Sequence, residues 1–95
     1  MYTVVENRDF RHSYLKLAHS GKLKPRVKAG LERVVEMLRT RKPLPARNRD
    51  HALTGEWLGY RECHIKGDLL LIYQKKDDIL VLILVDIGSH SQLFG

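Results

Sequence analysis

Three histidines of this 95-residue chain, His51, His64 and His90, stand where their side chains could perform proton chemistry. Imidazole is the side chain that changes charge near neutral pH without perturbation, so it suits both general acid and general base work. Asp50, Glu62 and Asp68 lie close to the first two in sequence. His51 falls in a connecting segment, His64 near the tip of a predicted hairpin, and His90 in the C-terminal stretch GSHSQLFG, so the three can meet at one edge of a sheet. His12 and His19 differ from these: they fall on or near the polar side of a predicted helix and read as surface residues.

Strand alternation sharpens the pattern. In WLGYRECHI, Tyr60, Glu62 and His64 share one side of an extended chain, while Arg61, Cys63 and Ile65 share the other. Glu62 can therefore sit beside His64, where a carboxylate favours the imidazolium and fixes the ring. Asp68 is harder to place. A strict two-residue turn at Lys66-Gly67 turns it away from His64, and a wider loop returns it. Metal chemistry has little support, because the histidines lack His-x-x-x-His or Cys-x-x-Cys spacing. Cys63 occupies a strand position expected to be packed, where thiols are inert. No glycine-rich phosphate loop is present.

The elements that must position these residues follow from periodicity. Tyr2 to Val5 is a short β segment that needs a distant partner strand. Phe10, Tyr14, Leu17 and Ala18 mark the apolar face of a first helix, closed by Ser20-Gly21. A second helix begins near Pro25, carries Val27, Leu31, Val34, Val35 and Leu38 inward, and stops before Lys42-Pro43-Leu44-Pro45. Residues 40 to 56 form a long basic connection, with Asp50 to Leu53 apolar enough to be pinned to the sheet. A hairpin from Trp57 to Tyr73 and a strand from Ile79 to Ile87 complete the order β-α-α-β-β-β. The expected fold class is α+β, one domain over residues 1–95, with a mainly antiparallel sheet, both N-terminal helices on one face and the other face free for a ligand.

Charge is divided unevenly. Residues 1 to 49 hold 13 Lys/Arg against 4 Asp/Glu, whereas residues 50 to 95 hold 4 against 7. A basic half of this kind attracts polyanions by releasing their counterions, which puts RNA or DNA ahead of an acidic protein as partner. The apolar runs are too short to span a membrane, the single cysteine has no disulfide partner, and no charged-then-apolar leader opens the chain. A cytoplasmic protein with no membrane partner is expected.

Three blocks, DHALTGEWLGYRECHI, GDLLLIY and GSHSQLFG, resemble the YafQ branch of the RelE/ParE toxin superfamily from bacterial toxin–antitoxin pairs. About half of the chain carries the resemblance by motif, and the rest is similar in its order of elements. It implies a RelE-like fold and an endoribonuclease, or mRNA interferase, that cuts mRNA in the ribosomal A site without metal or other cofactor. Its implied partners are mRNA, the ribosome with its RNA, and a small cognate antitoxin protein. Carried over by residue, it makes His51, His64, Asp68 and His90 catalytic candidates, with Phe94 in the same pocket and Glu62 a weaker addition from related toxins.

The chain departs from the branch at two positions. Leu69 stands where a tryptophan is frequent, which removes a base-stacking surface. Asp86 stands where many members place an arginine that steadies charge on the scissile phosphate; losing such a group can cost on the order of 10² to 10³ in rate. Arg61, Lys66 or Arg49 must compensate, or the nuclease is slow. Two other readings remain open at this point: a non-nucleolytic toxin of the gyrase-poisoning ParE kind, and a basic RNA-binding module without catalysis.

Overall fold

A computed structural model describes residues 1–95. Strand β1 (Thr3–Glu6) leads into helix α1 (Arg8–His19) and helix α2 (Pro25–Arg39). A 3-10 turn at Ala46–Asn48, the two-residue strand β2 (His51–Ala52) and a second 3-10 turn at Gly55–Trp57 follow. Strands β3 (Arg61–Lys66), β4 (Leu69–Lys76) and β5 (Val81–Gly88) complete the sheet, and a short helix α3 (His90–Phe94) ends the chain. The five strands lie in the order β1-β5-β4-β3-β2. Only the β1–β5 pair is parallel, and it is the long-range partner that the short first strand requires.

Local chemistry sets both long helices. The Asn7 side chain accepts from the Phe10 amide at 2.9 Å and caps α1, while Pro25 occupies the first turn of α2, where its missing N–H has no helical partner. The end of α2 comes earlier than the Pro43-Pro45 signal suggests. Arg41 adopts a left-handed φ of 62°, and the amides of Arg41 and Lys42 bond back to Leu38 and Met37 in a Schellman closure. Phe10 and Leu17 from α1 and Leu31, Val34 and Leu38 from α2 enter one cluster with Cys63, Leu71, Tyr73, Leu82, Leu84 and Ile87 of the sheet. The two helices thus cover the same sheet face, as expected. At about 1.5–3 kcal/mol for each fully buried large apolar side chain, this shared cluster carries most of the favourable folding energy.

The register breaks once in β5. Ile72 faces Asp86 but Tyr73 faces Leu84, so an extra residue bulges at Val85. Strict alternation would send Leu84 and Ile87 to opposite faces; the bulge puts both into the core.

Several expectations are corrected. Trp57 to Gly59 is not strand: Gly59 takes φ 95°, the Tyr60 amide bonds to the Trp57 carbonyl at 3.0 Å, and pairing starts at Arg61. The hairpin turn is Gly67-Asp68 rather than Lys66-Gly67, because Lys66 pairs with Leu69 after a bulge at Ile65. The last strand starts at Val81, since Leu80 holds a left-handed φ of 53°. The second sheet face is free only near the hairpin, where Glu62 and His64 lie on it. Leu70 and Ile72 on that face are 2% and 0% exposed. Gln74, on the same face, reaches the Gly59 carbonyl at 3.5 Å, and Trp57 meets Phe94 of α3 with ring centroids 5.8 Å apart. The 54–60 loop and α3 meet over the remainder of that face.

Candidate active site

Backbone pairing brings the first acidic and imidazole groups together. β2 runs antiparallel to β3 with His51 opposite Glu62, and His64 lies two residues beyond Glu62 on the same side. The Glu62 carboxylate is buried, at 6% residue exposure, with its Oε1 3.6 Å from Nε2 of His64 and 3.9 Å from Nε2 of His51. Nδ1 of His51 lies 2.6 Å from the Arg49 carbonyl oxygen. A carbonyl only accepts, so Nδ1 carries a proton and Nε2 faces the carboxylate.

Strand β2 begins only at His51, opposite Glu62, which leaves the β3 edge without a strand partner from His64 to Lys66. Asn48 closes part of this gap: its buried Nδ2 donates to the His64 carbonyl at 2.7 Å and clips the 46–48 turn to the sheet. Arg49 then takes a left-handed φ of 46° and redirects the chain into β2. At the other side, α3 is folded tightly over Gly88, where any Cβ would come within 2.9 Å of Gln92 Oε1. Ser89 and Gln92 form a reciprocal capping box. This places His90 on the first turn of α3, its ring 5.1 Å from that of Phe94.

An open cleft of about 840 Å³ results, lined by Glu62, His64, Lys66, Asp68 and His90 on the sheet side and by Arg26, Arg33, Arg47 and Arg49 on the other. Of the residues expected at a site, His64, His90, Asp68, Glu62, Arg49 and Lys66 share this cleft. His51 stands at its border through Glu62. Phe94 lies behind His90 against Trp57 and does not line the wall. Arg61 lies on the opposite side of β3, where its Nε donates to the Tyr73 hydroxyl at 3.2 Å and its guanidinium pairs with Asp50 at 3.3 Å. It is therefore occupied structurally and is absent from the cleft wall.

Asp86 is also elsewhere. The Val85 bulge turns its carboxylate toward α1, where it accepts from the Ser13 hydroxyl at 2.6 Å and from the Ile87 amide at 2.8 Å. Burial pushes the Cys63 thiol up to about 12, with Asp50 and Glu62 adding to the shift, so its nucleophilic form is suppressed. Burial and the bond to Asp50 likewise raise Tyr73, which keeps its hydroxyl as a donor.

Sequence reasoning placed Arg26, Arg33 and Arg47 only within the basic first half, and assigned neither them nor Asn48 to the site. The first two had a signal: Arg26, Ala29, Gly30 and Arg33 fall at i, i+3, i+4 and i+7 and form one helix face. Its small central residues bring α2 against the hairpin, with Gly30 3.7 Å, measured from an ideal Cβ, from Ile65 Cγ2.

A sheet with two helices on one face and a histidine-lined, cationic cleft at its open edge defines a RelE-like toxin domain. The chain belongs to the YafQ family, described as the bacterial toxin of type II toxin–antitoxin systems, whose family model matches residues 2–95. A candidate YafQ toxin of Haemophilus influenzae is 41% identical over 92% of this chain and 94% of its own length. The mRNA interferase toxin YafQ of Escherichia coli K12 is 45% identical over 56% of this chain and 55% of its own length. Among solved structures, a copper-bound mutant toxin from Helicobacter pylori superposes with a TM-score of 0.87 at 40% identity, covering 99% of this chain and 100% of that one. YafQ in the Escherichia coli DinJ-YafQ toxin–antitoxin complex gives 0.83 at 28% identity, covering 99% of this chain and 98% of that one. In the present structure no group of three or more His, Cys, Asp or Glu side chains is arranged to hold a metal.

Proposed function

We propose that this toxin is a ribosome-dependent, metal-independent endoribonuclease that cuts mRNA by attack of the RNA 2′-hydroxyl on the adjacent phosphate. The observation that carries the reading is the buried Glu62 carboxylate beside His64, in a cleft that also holds His90 and several cations. His64 takes the 2′-hydroxyl proton, and the new O–P bond forms as the bond to the 5′ oxygen breaks. His90 donates a proton to that leaving oxygen, giving a cyclic phosphate and a 5′-hydroxyl end. Glu62 stabilises the imidazolium that His64 becomes, and each proton transfer of this kind contributes about 10² to 10⁴ in rate. His51 and Asp68 flank the pair as further proton-handling groups, and Phe94 supports His90.

Arg49, Lys66 and the arginines of α2 supply the charge that Asp86 lacks, so the substitution at that position need not leave a slow enzyme. Arg61, held by Asp50 and Tyr73, has no part in this compensation. The toxin acts in the cytoplasm, in the ribosomal A site, and is restrained by a cognate antitoxin protein, as DinJ accompanies YafQ in the Escherichia coli complex.

The test is expression in bacteria with mapping of mRNA 5′ ends. Cuts in codon register that disappear in His64→Ala and His90→Ala support the assignment. Undiminished cuts in both variants remove it, and DNA damage without mRNA cuts points to a gyrase poison.

A further inference from the structure

The catalytic cleft does not end at the hairpin tip. A second hollow of about 400 Å³ shares Lys66 and Asp68 with it and continues past Lys22 and Lys24 toward Ser89. A third, of about 200 Å³, shares Lys22 and Gln92 with the second and has Asp86 in its wall. Lys22, Lys24 and Lys66 are exposed, and none makes an ion pair within the protein. By contrast Arg39, Arg41 and Arg61, each paired with a carboxylate, lie outside all three hollows.

We infer that the second hollow is an extension of the substrate site, in which Lys22 and Lys24 hold phosphates of the RNA strand beyond the scissile one. The inference rests on the ribonuclease reading for the identity of the strand. Unpaired cations along a groove retain their full attraction for a phosphate backbone, because no carboxylate has to be displaced first. The second hollow contains no aromatic side chain on which a base could stack, so this contact is indifferent to sequence. Asp86, in the wall of the third hollow, repels phosphate, so the strand is not expected to follow that hollow past it.

The test uses the full chain and non-cleavable 2′-O-methyl RNA of increasing length, with binding read by fluorescence anisotropy across a salt series. Wild type should bind longer strands more tightly until the second hollow is filled. Lys22→Gln/Lys24→Gln should lose that gain, bind the shortest RNA like wild type, and lower the slope of log affinity against log salt by about 1.4, or ~0.7 per lost phosphate contact. A Lys75→Gln/Lys76→Gln control at the far end of β4 should behave as wild type. Equal binding of long RNA by the Lys22/Lys24 variant and wild type, or an equal loss in the control, overturns the proposal. So does a variant with intact RNA binding but weakened antitoxin binding, which makes the hollow a protein-docking surface. Binding requires no cleavage, so failure of the nuclease assignment leaves this readout standing by itself.

Discussion

Oε1 of Glu62 lies 3.6 Å from Nε2 of His64, and the carboxylate that carries it is almost wholly buried. A buried carboxylate needs a compensating positive or donating neighbour, and the two histidines beside it are the available ones. The arrangement joins stability to reactivity: the same negative charge that requires a partner also stabilises a ring that takes up a proton.

Glu62→Gln preserves shape and removes that charge. Cleavage should fall by about 10²-fold, the lower end of what a positioned proton-transfer group supplies. A purely structural role would lower activity only in step with a loss of stability. A reduced single-turnover rate on ribosome-bound mRNA, in a variant whose urea midpoint equals that of wild type, is the expected result.

Tyr73→Phe removes the hydroxyl that donates to Asp50 and accepts from Arg61. Both partners then lose a bond in a largely enclosed place, at a cost of about 1–3 kcal/mol. Urea unfolding should show this as a lower midpoint with an unchanged slope. A midpoint equal to that of wild type would mean that water replaces the hydroxyl at no cost.

Alkaline pH should expose the Cys63 thiol's burial. Its folded value near 12 exceeds the roughly 8.5 of an exposed thiol, so the folded state holds the proton more tightly. The corresponding stability is whole below the unfolded value and is lost as pH rises toward the folded one. The limiting slope is about 1.4 kcal/mol per pH unit. Urea titrations between roughly pH 8.5 and 10 should therefore show a steeper decline in wild type than in Cys63→Ala, even though the cavity left by the substitution makes the variant weaker at neutral pH.

Gly30→Ala should stabilise the protein. Position 30 lies inside α2, and a methyl group there meets Ile65 Cγ2 at an ordinary 3.7 Å. Helix propensity then adds about 0.5–1 kcal/mol, and for a domain of this size each kcal/mol raises Tm by roughly 4–8 °C. Calorimetry showing a lower Tm would mean that the contact with Ile65 does not tolerate the methyl group.

Local pattern accounts for the two helices, because Phe10, Tyr14 and Leu17, and then Leu31, Val34 and Leu38, repeat at helical spacing, with Gly21 after the first and Pro25 opening the second, whereas the left-handed Arg41 that ends α2 carries no such signal. It also determined that Glu62 and His64 share a side while Cys63 faces inward, since strand alternation is a local property. Three features were decided only by tertiary structure. The two-residue strand that carries His51 to Glu62 has no pattern of its own and exists because the β3 edge is there to receive it. The bulge at Val85 turns Asp86 to Ser13 and away from the cleft, a choice made by the packing of Leu84 and Ile87 beneath α1 and α2. The arginines of α2 become part of the site because small residues at Ala29 and Gly30 let the helix approach the hairpin. Periodicity names the face on which a side chain lies, but which surface that face meets depends on contacts between residues far apart in the chain.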